Sequence, residues 1–360
     1  MRYTLRLALL ASALFLVSPA HAQSAPVALA DVARNLDVRY DGKRTTGAKL
    51  DVKLSPYVRV ALNEWAELAM RLKFEVFVPQ KADALVMGRA SVDQMQLATR
   101  VMDQTAELLA ALKPPADAPP GRAIVVVLFD ADGFRTEAWP AFLDELLARN
   151  DVMSDFVERM KASPGSFTLR NASMFVQHTF DIAGNAEAGD DEYRFNNEIA
   201  HKTAQYLVEA RFGRQPDVLR WGLGYVAEQR LCGNIYQFNA SGFVENADHF
   251  GWPAKTRDAL LERAKDTKFK LAEAILHSKD CGTAGFGQQL AWGTLDYELS
   301  KDPAKLAELL MKLGALDRAG DPEATSLEYR GDAKQAQELC DATWGKLKVN
   351  TLAGWLKSIK

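Results

Sequence analysis

Asn196-Asn197-Glu198-Ile199-Ala200-His201-Lys202-Thr203-Ala204-Gln205-Tyr206-Leu207-Val208 is the stretch on which the fold turns. It belongs to a long helix predicted over residues 194–211. Upstream lie a strand at residues 173–180 and a loop at 183–192 rich in Ala, Gly and Asp. Downstream of Pro216 nearly every periodic segment reads as helix: residues 218–230, 254–264, 271–277, 288–299, 303–312, 332–344 and 352–357. The chain therefore changes from mixed α/β to all-α near residue 212.

Further upstream, residues 75–78 read as a strand, 91–112 as an amphipathic helix with apolar residues three and four apart, and 123–129 as a buried strand. The loop 113–122 holds four prolines, which forbid continuation of that helix. Helices follow at 138–149 and 155–162. Residues 25–53 are polar and aperiodic apart from a possible short strand at 50–54.

The first 22 residues read as a signal peptide. Arg2 and Arg6 give a basic start, residues 7–17 an apolar run too short for a membrane helix, and Ala20-His21-Ala22 a small-x-small cleavage site. The expected organisation is thus a signal peptide at 1–22, an N-terminal lead-in at 23–69, a mixed α/β half at 70–211 and a helical half at 212–360. An exported product, periplasmic or extracellular, follows from this, with no membrane span after cleavage. Loss of Arg2 and Arg6 takes the net charge from −3 to −5. A mildly acidic chain without a Lys/Arg cluster lacks the electrostatic footprint of nucleic-acid binding. Of three cysteines, Cys232 and Cys281 each precede a Gly at a loop edge and are the candidate disulfide, while Cys340 lies on an apolar helix stripe.

Two constellations carry chemistry. In the first, Glu198-x-x-His201 keeps part of the H-E-x-x-H spacing, in which histidines four apart on a helix project onto one metal and the Glu polarises its water. Asn197 stands where the first His would be. Twenty residues on comes Trp221-Gly-Leu-Gly224-Tyr-Val-Ala227-Glu228, at the start of the next helix. In this the chain resembles the gluzincin zinc metallopeptidases, thermolysin-like enzymes of the peptidase MA superfamily. A branch of these carries W-x-x-E-G-x-A-E after the zinc helix, its first Glu being the third ligand. Trp221, Ala227 and Glu228 match, whereas Gly224 replaces the ligand Glu and Tyr225 the usual Gly.

The resemblance implies an α+β, thermolysin-like fold: a small mixed sheet with helices, then an all-α C-terminal half across a cleft. It spans residues 70–355 in the order of elements, and only 197–228 in specific motifs. It also implies a degenerate zinc site. Catalytic zinc takes three protein ligands and a water. Asn197 offers only a neutral amide oxygen, Gly224 no side chain, and one histidine cannot hold zinc. Glu198 becomes a vestigial general base in a cleft with Asn197, His201, Trp221, Gly224 and Glu228. The implied function is a noncatalytic peptide- or protein-binding module without a metal cofactor, its ligand added along the strand 173–180 as an edge. The alternative is an active metallopeptidase whose zinc recruits Glu228, one turn past Gly224, or His178, His249 or His277.

The second constellation is Ile124-Val-Val-Val-Leu-Phe129-Asp130-Ala131-Asp132-Gly133. It resembles the nucleophile motif of haloacid-dehalogenase-like phosphatases, which implies Asp130 as nucleophile and Asp132 as the group handling the leaving-group proton beside Mg²⁺. Phe134 departs from that pattern. As plain structure, Asp-x-Asp-Gly is a turn after a strand.

Overall fold

A computed structural model describes residues 28–114, 121–149, 151–170, 173–179, 191–235, 252–276, 286–320 and 328–359. Residues 1–22, read from the sequence as a signal peptide, most of the loop 183–192, His249, His277 and Cys281 lie outside the described residues.

The chain is mixed α+β, built on one seven-stranded sheet. It opens with α1 (Asp31–Asn35), then the hairpin β1 (Asp37–Tyr40) and β2 (Lys43–Thr46). Asp41 and Gly42 turn that hairpin with φ of 53° and 69°, the left-handed pair that a two-residue hairpin loop requires. Residues 50–54, expected as a strand, are instead the end of α2 (Gly47–Leu50) and a 3₁₀ turn (Asp51–Lys53). α3 (Pro56–Leu72) follows, starting on a Ser55 cap whose hydroxyl accepts from Val58 N, with Pro56 in the first turn where its missing N–H costs nothing. Val58, Ala61, Leu62, Trp65, Ala66, Leu68 and Ala69 form its buried stripe. The stretch expected as a lead-in thus supplies two strands and a core helix.

Next come β3 (Glu75–Val78), β4 (Ala84–Arg89) and α4 (Val92–Leu108), whose Ser91 and Gln94 form a capping box. β5 (Ile124–Phe129), α5 (Ala131–Phe134), α6 (Ala138–Ala148), α7 (Ser154–Ala162), β6 (Phe167–Leu169) and β7 (Met174–His178) complete the mixed half. The strand order is β2-β1-β3-β4-β5-β7-β6. β4, β5 and β7 run parallel, with β3 antiparallel to β4 and β6 antiparallel to β7.

Both faces of the sheet are covered. Val125, Val127 and Phe129 of β5 pack with α3 and α6, while Ile124, Val126 and Leu128 join α4 and the helices that follow. Every residue of β5 is buried, as a central parallel strand between two helical layers requires.

β7 was expected as an edge strand. It is not: β6 pairs with it from Met174 to Val176, so strand addition is closed there. The reason is the short strand β6 just ahead of it, from which the chain reverses between Arg170 and Ser173, where Ser173 N donates to the Arg170 carbonyl at 3.2 Å.

The rest is helical: α8 (Asp191–Phe212), α9 (Asp217–Cys232), α10 (Trp252–Arg263), α11 (Leu271–Leu276), α12 (Phe286–Lys301), α13 (Pro303–Gly320), α14 (Ala333–Trp344) and α15 (Val349–Ser358). α9 lies against both α8 and α12. Trp252, Trp292 and Trp344 are buried in this body, as core tryptophans and not a surface platform. Among the described residues no helix is long and apolar enough to cross a membrane.

Candidate functional site

α8 and α9 are joined by only four residues, so they pack antiparallel. Asn197, His201 and Gln205 recur every fourth residue and form one stripe of α8 facing α9. Across from them α9 presents Glu228, Gly224, Trp221 and Arg220. The two motifs singled out in the sequence therefore meet in space.

His201 is 5% exposed and Glu228 fully buried. The imidazole Nδ1 lies 2.6 Å from Glu228 Oε1, and Nε2 lies 2.7 Å from Gln205 Nε2. An amide nitrogen only donates, so Nε2 accepts and the proton resides on Nδ1, donated to the carboxylate. This is the neutral tautomer. Burial, reinforced by the charges of Lys202 and Arg220, holds the imidazole well below its ordinary value of 6.5, which agrees with it.

Asn197 continues the network. Its Nδ2 donates to Glu228 Oε2 at 2.9 Å and faces the carbonyl and side-chain oxygens of Asn234 at 3.1 and 3.3 Å. Its Oδ1 has no hydrogen-bond partner among the described residues. Beyond His201, Arg220 Nη1 donates to Gln205 Oε1 at 3.4 Å, and Arg220 Nε approaches Asp217 at 3.3 Å. Arg170, from the β6–β7 connection, closes the far end on Glu209, on Asp217 at 3.3 Å and on the Gln215 carbonyl at 3.1 Å.

Gly224 fits only because it lacks a side chain. A Cβ there would lie 2.6 Å from His201 Cε1 and Nδ1, inside contact distance. The ring fills the volume that a ligand Glu would need. Trp221 and Tyr225 enclose it, their ring centroids 5.1 and 5.0 Å from that of the imidazole.

The residues present do not fit a catalytic zinc. Both imidazole nitrogens and both oxygens of Glu228 are spent on protein partners, and the third position has no donor. Among the described residues no three His, Cys, Asp or Glu side chains gather around a common point.

Glu198 and Lys202 occupy the adjacent stripe of α8 and are half-buried. Burial pushes the Glu198 carboxyl up, against the pull of Lys202, and pushes the Lys202 ammonium down, against the pull of Glu198. Lys202 Nζ stands 5.5 Å from the centre of the Trp221 ring.

The second constellation takes a plain structural form. Asp130 caps α5, its Oδ1 accepting from Gly133 N at 2.7 Å, and Asp132 is 93% exposed beside Arg135. A cavity of about 400 Å³, lined by Tyr57, Trp65, Arg122, Val125 and Asp151 among others, lies on the opposite face of the sheet from His201.

Cys232 ends α9 half-buried, its thiol pushed up to about 12 by burial and by Glu228. Its expected partner Cys281 is outside the described residues.

Gln205, Arg220, Asn234 and Arg170 were not read from the sequence. Gln205 had a signal, as the third member of the Asn197-His201 stripe. Arg220 had one too, four and eight residues before Gly224 and Glu228 on α9, whereas Arg170 and Asn234 lie outside both helices, with no spacing to mark them. No family model, curated protein or solved structure matches this chain.

Proposed function

We propose that this is an exported, metallopeptidase-like protein with a thermolysin-like arrangement, in which the zinc site has become a hydrogen-bonded strut between two helices. Its cleft binds a peptide or protein segment without cleaving it. The observation that carries this reading is the double engagement of His201, to Glu228 through Nδ1 and to Gln205 through Nε2, with Gly224 packed against the ring. An imidazole held on both nitrogens has no lone pair to offer a metal. Export rests on residues 1–22, and the mature chain begins near Gln23.

Metal analysis of the purified mature protein tests the reading. The expected result is no stoichiometric zinc, with His201→Ala leaving the metal content unchanged while lowering stability by about 2 to 3 kcal/mol, because the buried Glu228 carboxylate loses one of its hydrogen bonds. Stoichiometric zinc that disappears in His201→Ala would defeat this reading in favour of an active peptidase with a nonstandard ligand set.

A further inference from the structure

We propose that the cavity between α3 and the start of β5 binds a free amino acid with an apolar side chain, its ammonium on Asp151 and its carboxylate toward Trp65 and Arg122. This site lies on the far side of the sheet from the α8–α9 network and does not depend on how that network is read.

The cavity follows from local pattern. Tyr57, Val60, Ala61, Glu64 and Trp65 fall at helical spacing and share one stripe of α3. Facing them are Val125 of β5, Arg122 just ahead of that strand, and Asp151 from the turn after α6. The space of about 400 Å³ is within the range of small-molecule pockets. Its Trp65 wall is held in place: Arg149, at the end of α6, donates to the Glu64 carbonyl at 3.0 Å, pairs with Glu145 at 2.9 Å and sets its guanidinium 4.1 Å from the centre of the indole ring.

Trp65 is 3% exposed, yet its indole N–H makes no hydrogen bond among the described residues. The Asp151 carboxylate makes no hydrogen bond or ion pair among them either, and burial pushes it up against the charge of Arg149. A nearly buried donor and a partly desolvated carboxylate both gain when a ligand pairs with them.

Ligand class follows from this combination. A simple anion would meet Asp151 and Glu64. A simple cation would meet Arg122 and leave the indole N–H without an acceptor. A sugar would set hydroxyls against Val60, Ala61 and Val125, which offer them no partner. A zwitterion gives Asp151 a charged donor and Trp65 an acceptor, and Arg122 complements its carboxylate. An apolar side chain then covers the rest of the lining, including Val60, which is 47% exposed.

Calorimetric titration of the purified protein with L-leucine tests this, beside 3-methylbutylamine, which lacks the carboxylate, and 4-methylpentanoate, which lacks the ammonium. Leucine should bind, and each fragment at least tenfold more weakly, the effect of losing a charge-assisted hydrogen bond. Asp151→Asn, at an exposed turn, should melt with the parent, weaken leucine about tenfold and narrow its advantage over 4-methylpentanoate. Trp65→Phe keeps a ring but removes the N–H, and should instead narrow the advantage over 3-methylbutylamine. Such opposite selectivities would not arise from a general loss of fold. Absence of leucine binding, or binding that Asp151→Asn leaves unchanged, overturns the proposal. An amine that binds as tightly as leucine overturns it in favour of an organic cation.

Discussion

Gly224 and His201 are complementary, and each constrains what the other can become. The volume above Gly224 belongs to the imidazole, with 2.6 Å between a hypothetical Cβ and the ring. Gly224→Ala, which should raise helix propensity, is therefore expected to destabilise the protein by about 1 to 3 kcal/mol through overpacking. Chemical denaturation of the two proteins measures this, and an unchanged midpoint would show that the ring moves freely. His201 also sets a pH dependence. Its imidazole is neutral in the fold and titrates normally when unfolded, so the unfolded state binds the extra proton. Stability from this group is complete above the unfolded value near 6.5 and declines as pH falls below it toward the depressed folded value. Glu198 has the opposite sign, because its raised folded value favours protonation in the native state as pH falls. His201→Gln should flatten the decline between pH 6.5 and 5, and denaturant melts across that interval in both proteins isolate the histidine's share.

At the scale of the element, α8 and α9 are fastened at two ends by different means. At one end Asn197, His201 and Glu228 form a compact hydrogen-bonded group. At the other Arg170 reaches from the β6–β7 connection to Glu209 and Asp217, tying the sheet to both helices. Arg170 and Glu209 are 9% and 8% exposed, so the pair is desolvated, and removing one partner strands a buried charge. Arg170→Met is expected to cost about 3 to 5 kcal/mol, appearing as a lowered midpoint in thermal or urea unfolding. A cost near zero would mean that Arg220, whose Nε lies 3.9 Å from Glu209, and water absorb the loss. Several helices were legible in sequence because α4, α14 and α15 follow an apolar period of 3.6 with one buried stripe, whereas α9, buried without a break from Gly222 to Glu228, was legible from its place just after Pro216. α3 carried equally plain signals, a Ser-Pro start and seven buried positions at helical spacing, but they lay beyond a polar, aperiodic stretch that read as a lead-in. β4 and β6 were missed for other reasons. β4 is buried on both sides and shows no alternation, and β6 is three residues long. Within the site, Asn197, His201, Gly224 and Glu228 were visible as spacings on two helices, whereas Arg170 and Asn234 enter only through tertiary packing, which one-dimensional periodicity does not encode.

On the scale of the whole molecule the sheet is a wall between two cores, and neither core is optional. One contains the α8–α9 strut and the helical half, and the other consists of α3, α6 and the reverse side of the same strands. Because β5 alternates strictly between them, Val125, Val127 and Phe129 to one side and Ile124, Val126 and Leu128 to the other, stripping either layer exposes half of a strand that is hydrophobic throughout. The α8–α9 site and every element from β3 onward lie beyond residue 70, at the end of α3, so a chain starting there would keep them all and still lose a layer. Leu62, Trp65, Ala66, Leu68 and Ala69 are each at most 4% exposed. Deleting even one large side chain of this kind costs about 2 to 5 kcal/mol, against a total stability of about 5 to 15 kcal/mol for a domain. The chain truncated to residues 70–360 is therefore expected to lose cooperative unfolding and to bind a hydrophobic dye, while truncation at residue 28 should leave a sharp transition. Calorimetry and dye fluorescence on the two truncated chains decide the matter. A cooperative melt from the shorter one would mean that the His201 core folds without the layer on the other side of the sheet.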